Sequence, residues 1–211
     1  WDRAEGGGRA NVGVQYTAQF NQAGYLNALF GQSYHLFGQN SFSYGGITNT
    51  GIQSGLDTRA SDYVARVTYQ PNSIYAFTTR GRFDESTFAV RRFETEARAN
   101  LGRWNATVLY GSYDAQPALG FLQRRQGILG SASYKIDANW VISGAARYDL
   151  NANKVSQTQI GLGYVDDCFI LALNYITDYT YSGNATADHR IMFQIGLRTL
   201  GGTSVSQAVS P

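Results

Sequence analysis

Apolar and polar side chains alternate with a period of two along most of this sequence, the pattern of strands whose two faces meet different environments. Val12, Val14, Tyr16, Ala18 and Phe20 alternate with Gly13, Gln15, Thr17 and Gln19. Trp104, Ala106, Val108 and Tyr110 repeat the pattern, as do Trp140, Ile142, Gly144, Ala146 and Tyr148, and then Ile191, Phe193, Ile195 and Leu197. Helical periodicity is scarce. The runs predict eleven strands, at 9–20, 24–35, 62–70, 74–83, 87–101, 104–114, 123–136, 139–150, 155–165, 168–178 and 189–200.

Two architectures produce such alternation. A soluble sandwich or barrel turns its apolar face to a core, whereas a membrane barrel turns it to lipid and its polar face to a wet lumen. Soluble strands cluster near 5–6 residues, and tilted spanning strands need about 9–11. Most of the predicted runs meet the longer requirement. The polar face of 87–101 carries Arg92, Glu94, Glu96 and Arg98, which suits a lumen wall and equally the outside of a soluble sheet. The aromatics discriminate better. Trp104 and Trp140 open the apolar face of their strands and Tyr110 and Tyr148 close it, the girdle arrangement of two membrane interfaces. The preferred reading is an all-β, antiparallel transmembrane β-barrel of the outer-membrane type.

Composition narrows this further. Of 211 residues, 15% are charged and 14% aromatic, with 24 glycines, which excludes a disordered chain. The net charge of +2 points to no nucleic-acid partner. The stretch Ala10–Leu56 has no charged residue, yet its many Gly, Asn, Gln, Ser and Thr residues exclude a spanning helix. Cys168 is the single cysteine and has no partner within the chain. The opening Trp1-Asp2-Arg3 shows no signal-peptide pattern, and residues 201–211 read as a polar C-terminal tail.

Connections between the predicted strands alternate in length. Asn21–Ala23, Pro71–Ser73, Gly102–Arg103, Asp137–Ala138 and Asp166–Asp167 are short, and they alternate with 36–61, 84–86, 115–122, 151–154 and 179–188. Outer-membrane barrels have short periplasmic turns and longer external loops. The short set is therefore expected in the periplasm, with 36–61 as a large external loop, mobile or folded into the lumen. On this count strand 189–200 runs inward and Trp1 lies outside. Single-chain bacterial barrels have an even number of strands, so eleven strands, over 1–200, are expected to be the C-terminal part of a larger barrel.

Candidate chemistry is sparse. His35 and His189 sit at strand ends without converging ligands for a metal. Asp188 and His189 are consecutive strand residues pointing to opposite faces, which is wrong for a hydrolytic dyad. Gly6-Gly7-Gly8 precedes a strand and lacks the lysine of a phosphate loop. Glu94 and Glu96, flanked by Arg92 and Arg98, read as a salt-bridge ladder rather than a paired-carboxylate catalyst. No enzyme and no cofactor is expected. Arg66, Arg92, Glu94, Glu96, Arg98, Arg147, Arg190 and Arg198 are expected to face the lumen, where arginine forks suit phosphate but more often pair with neighbouring carboxylates.

Short stretches in order along nearly the whole chain resemble one family. They are Arg3-Ala4-Glu5-Gly6-Gly7, Gly31-Gln32-Ser33-Tyr34, Ser61-Asp62-Tyr63-Val64, Arg147-Tyr148-Asp149-Leu150, Gly163-Tyr164-Val165-Asp166-Asp167-Cys168 and Leu197-Arg198-Thr199-Leu200-Gly201. The chain resembles the C-terminal barrel portion of the LptD family, outer-membrane lipopolysaccharide assembly proteins also called organic-solvent-tolerance proteins. The resemblance implies a very large barrel in the outer membrane of a Gram-negative bacterium, plugged by an LptE-like lipoprotein. It also implies a preceding periplasmic domain that takes lipopolysaccharide from a bridge protein. Lipid would leave sideways between the first and last strands while the sugar passes the lumen. That would make 189–200, with Ile191, Phe193, Ile195 and Leu197, one side of a lateral gate. Cys168 stands where the family carries a disulfide to the periplasmic domain, and Phe169 follows where many relatives have a second cysteine, so one bridge is implied. The competing reading is a passive porin or solute channel.

Overall fold

The computed structural model describes residues 6–20, 24–43, 54–179, 187–197 and 201–209. The chain is an all-β antiparallel sheet whose strands neighbour one another in chain order. The strands are β1 (Gly6–Gln19), β2 (Tyr25–Gln39), β3 (Tyr63–Gln70), β4 (Tyr75–Phe83), β5 (Val90–Leu101) and β6 (Trp104–Tyr113). They continue as β7 (Arg125–Lys135), β8 (Trp140–Asp149), β9 (Lys154–Val165), β10 (Phe169–Asp178), β11 (Asp188–Leu197) and β12 (Gly201–Val209). One 3-10 turn, Pro117–Leu119, closed by Gly120 at φ 83°, interrupts the connection after β6.

All eleven expected strands are present, with β2 longer than the pattern indicates. The twelfth is a correction. Residues 201–211 read as a polar tail, yet Gly201–Val209 pairs with β11 from Leu197↔Gly201 to His189↔Val209. Backbone groups along β11 seek partners whatever the side chains opposite them, so a Gly-, Ser- and Thr-rich segment pairs without an apolar alternation to announce it. β11 is accordingly an interior strand, paired with β10 and β12 alike. The expectation that Ile191, Phe193, Ile195 and Leu197 mark the last strand is corrected with it.

Burial runs opposite to that of a soluble domain. Among the described residues no apolar side chain is buried, and the buried polar ones include Asn27, Ser33, Ser61, Asp62, Asp84, Glu94, Ser112, Ser156 and Thr177. Contacts divide the chain into two compact units, one of Trp1–Glu96 with Gly111–Gln126, the other of Ala97–Tyr110 with Gly127–Pro211.

In the first unit, register sorts the side chains onto two faces. Val14 faces Phe30, which faces Ala65, which faces Gly81, and one step on, Tyr16, Ala28, Val67 and Thr79 align in the same way. The opposite face carries Leu29, Arg66 and Arg80 in register, with Asn27 opposite Thr68 and Val64 opposite Arg82. In the second unit, Ile142, Leu162, Leu173 and Phe193 align across four strands. Such alignment follows from the period of two, since a slip by one residue would turn every apolar side chain to the wrong face.

Turn chemistry pins the register. Asn72 Oδ1 accepts the amides of Ile74 and Tyr75 at 2.9 and 3.0 Å. Asp137 Oδ1 does the same for Asn139 and Trp140, both at 2.8 Å, and Asp166 Oδ1 for Cys168 and Phe169 at 2.7 and 2.8 Å. Each is an Asx turn, in which a short side chain replaces a backbone acceptor. Gly102, at φ 71°, supplies the left-handed residue of the two-residue connection between β5 and β6.

Candidate functional site

The polar face of the first unit ends in a network of opposite charges built from five chain segments. Asp62 precedes β3, Arg82 and Asp84 end β4, Arg91 and Arg92 open β5, Tyr113 and Asp114 end β6, and Arg124 and Arg125 open β7. Arg82 Nε lies 3.1 Å from Asp62 Oδ2, and Arg82 also donates to the carbonyl of Ser54. Arg91 bridges two carboxylates, with Nη2 2.5 Å from Asp84 Oδ2 and Nη1 3.0 Å from Asp114 Oδ2. Arg124 adds a second contact to Asp114 at 3.4 Å.

Environment tunes these acids in opposite directions. Burial pushes the Asp62 carboxyl up to about 6, against the pull of Arg82 and helped by the neighbouring Glu85. The Asp84 carboxylate is held well below the usual range by hydrogen bonds from Ser86, Thr87 and Arg91. Burial works against ionisation of Asp114, and hydrogen bonds from Arg91 and the Ala115 amide outweigh it, so its titration is also lowered. Oxygens of Asp62, Asp84 and Glu85 lie within 4.8 Å of one another, a spacing that suits a cation. Arg82 and Arg91 already balance two of the three charges.

Deeper on the same face, Glu94 accepts from Arg92 Nη2 at 2.7 Å and from the Tyr113 hydroxyl at 2.5 Å. The Arg92 guanidinium stands 5.0 Å from the Tyr113 ring centre. Glu96 pairs across strands with Arg80 at 3.8 Å. Along β5, Arg92 and Glu94 pair within the strand, and Glu96 also reaches across to β4. Arg66 donates to Asn27 Oδ1 at 3.1 Å. The described part of the 36–61 connection lies over this face, where Asn40 and Arg9 both donate to the carbonyl of Leu56.

In the second unit the sequence-predicted residues are spread out. Arg98 and Arg147 are exposed on β5 and β8, and Arg190 pairs with Asp188 at 2.7 Å. Arg198 lies outside the described residues. His189 joins Tyr175 and Thr177 at 2.8 and 3.2 Å, so Asp188 and His189 serve opposite faces as their spacing requires. The apolar face bears the rings. Trp104 contacts Tyr134 with centroids 4.6 Å apart, Trp140 meets Tyr164 at 5.0 Å, and Tyr164 meets Phe169 at 5.6 Å. All five rings sit beside short turns. At the other strand ends, the Tyr148 hydroxyl donates to Asn153 Oδ1 at 2.6 Å, and Tyr110 is half-buried. Cys168 is exposed in the Asx turn of Asp166, with its thiol unpaired.

Sequence reading found Arg66, Arg92, Glu94 and Glu96 but missed Asp62, Arg82, Asp84, Arg91, Asp114 and Arg125. The available signal was positional: Arg82–Asp84, Arg91–Arg92, Asp114 and Arg124–Arg125 all stand at strand ends beside the longer connections.

A model of one protein family, described as LptD, LPS transport system D, matches residues 1–120. No curated protein matches the chain.

Proposed function

The chain belongs to the LptD family, and on that footing we propose that its sheet is part of the wall of an outer-membrane barrel that moves lipopolysaccharide to the cell surface. The observation that carries this reading is the inverted burial: a twelve-stranded sheet with no buried apolar side chain among the described residues and with Val14 at 74% and Ile160 at 68% exposure. A soluble sheet must cover one face with other protein. Lipid covers this one instead, and the polar face, with Arg66, Arg92, Glu94, Glu96, Arg98, Arg147 and Arg190, lines the lumen.

On this reading Trp104, Tyr134, Trp140 and Tyr164 form the girdle at the short-turn interface, and Tyr110 and Tyr148 belong to the opposite one. A lateral exit needs an edge between strands. β11 is flanked on both sides, so Ile191, Phe193, Ile195 and Leu197 are assigned to the lipid-facing wall. An LptE-like lipoprotein occupies the lumen, and a periplasmic bridge protein delivers the lipid. Cys168 forms a disulfide with the periplasmic part of the full-length protein, a compartment that favours such bonds. The polar network catalyses nothing here. It offers a wet, charge-balanced wall to a saccharide.

Depletion of the gene product in its native cell tests this. Newly made lipopolysaccharide should fail to reach the outer leaflet, scored by its modification with a surface-active enzyme, and should return on complementation. Normal surface arrival in depleted cells would sink the proposal. A steady, large single-channel conductance from the full-length protein would instead favour a diffusion channel.

A further inference from the structure

Most arginines of the polar face of the first unit hold a carboxylate, whereas Arg66 meets the amide oxygen of Asn27 and Arg125 stacks on rings. Arg125, the first residue of β7, has no carboxylate partner among the described residues. Its Nη2 donates to the amide oxygen of Gln116 at 2.9 Å. Its guanidinium lies 3.5 Å from the ring centre of Phe121 and 5.9 Å from that of Tyr113, and its Nε is shielded from solvent without an acceptor. Stacking orients the planar fork and leaves its charge uncompensated.

Arg125 borders a cavity of about 230 Å³ whose wall has four arginines, Arg82, Arg91, Arg92 and Arg125, and a single carboxylate, Asp114. The acids that pair with these arginines, Asp62, Asp84 and Glu94, are not part of the wall. Glu94 holds Arg92 through Nε and Nη2, Asp62 holds Arg82, and Asp84 holds Arg91. Those carboxylates fix the direction of the guanidinium groups, and the acceptors left in the wall are few, Asp114 for Arg91 and the Gln116 amide for Arg125. Preorganised forks around a small, partly enclosed space suit a tetrahedral oxyanion, which accepts several charge-assisted hydrogen bonds at once. The volume exceeds that of phosphate alone and leaves room for the sugar ring that carries it.

We propose that this cavity is a binding site for a phosphate monoester on a sugar, with Arg125 and Arg92 as the principal anion contacts and Tyr113 and Gln116 beside the ring. The phosphate belongs either to a free sugar phosphate or to the saccharide of a lipopolysaccharide, and the second source rests on the function proposed above.

The test uses the full-length protein with its lipoprotein partner in detergent, with folding checked by its heat-modifiable gel mobility. Calorimetric titration with glucosamine 1-phosphate, and with unphosphorylated glucosamine as control, reads the site. Binding should require the phosphate. Arg125→Gln should weaken it about tenfold, the loss of one charge-assisted contact, and Arg125→Lys should recover part of that. Asp114→Asn, which removes the wall's negative charge, should tighten binding, a gain that misfolding cannot imitate. Equal affinity for both sugars, or an Arg125→Gln variant that binds as the wild type does, overturns the site. Competition then separates the sources. Displacement by lipopolysaccharide, but not by its phosphatase-treated form, supports the site and the transport reading together. Arg125-dependent binding that lipopolysaccharide does not displace keeps the site, assigns it to a free sugar phosphate and counts against the transport reading. No binding of glucosamine 1-phosphate by the wild type removes the site and leaves the family assignment as it stands.

Discussion

At the scale of single residues, the polar face works by pairing. Glu94 is buried to 9% exposure and serves both Arg92 and Tyr113. Replacement by alanine leaves two donors without their acceptor and should cost about 1–2 kcal/mol, since Arg92 is half open to water. Urea unfolding of the full-length protein in lipid vesicles measures it, and an unchanged midpoint would show that water replaces the carboxylate. Asp62 gives a pH signature. Its folded titration is raised to about 6 from an ordinary carboxylate value of 3.8, so between those values the folded state binds more protons than the unfolded one. Stability should fall as pH rises through that window, and Asp62→Asn should flatten the profile. Arg92 and Glu94 were legible in the sequence because a period of two puts neighbours on one face. Asp62 and Arg82 were not, because they lie on different segments that only register brings together, and Arg125 was not, because its contacts depend on how the 114–124 connection folds back on it.

At the scale of elements, alternation and turn residues account for eleven strands. Boundaries drift where alternation ends before hydrogen bonding does, as in β2, which runs on to Gln39. The Asx turns make a prediction: Asn72→Ala removes the acceptor for two amides and should destabilise the β3–β4 hairpin by about 1 kcal/mol, seen as faster amide exchange at Ile74 and Tyr75. A close backbone approach makes another. Gly13 and Gly31 face each other across β1 and β2, and a Cβ on either would stand 2.9 Å from a carbonyl of the opposite strand. Gly31→Val should therefore cost about 1–3 kcal/mol by overpacking, read as a lower urea midpoint. A neutral effect would mean that the strands separate freely there. β12 shows the limit of pattern reading: paired backbone leaves no mark on a segment of small polar residues.

For the whole molecule, the decisive property is that apolar surface is turned outward and polar surface is buried. The proposed orientation puts Cys168 with the short turns, in the periplasm. Non-reduced peptide mapping of the native full-length protein should find it bridged to a cysteine of the periplasmic domain. After reduction, a membrane-impermeant thiol reagent should label it only once the outer membrane is permeabilised. Labelling in intact cells would reverse the orientation.

The sequence by itself determined the strand class, the two faces, the aromatic positions at strand ends and the family resemblance, because each depends on neighbours a few residues apart. Tertiary structure decided what depends on register between distant segments. It joined β12 to β11 and brought Glu96 to Arg80 across the strands. It also gathered Arg82, Arg92 and Arg125 around one cavity, with Arg125 left uncompensated. Backbone hydrogen bonding selects those alignments, and side-chain charges meet only after it has done so.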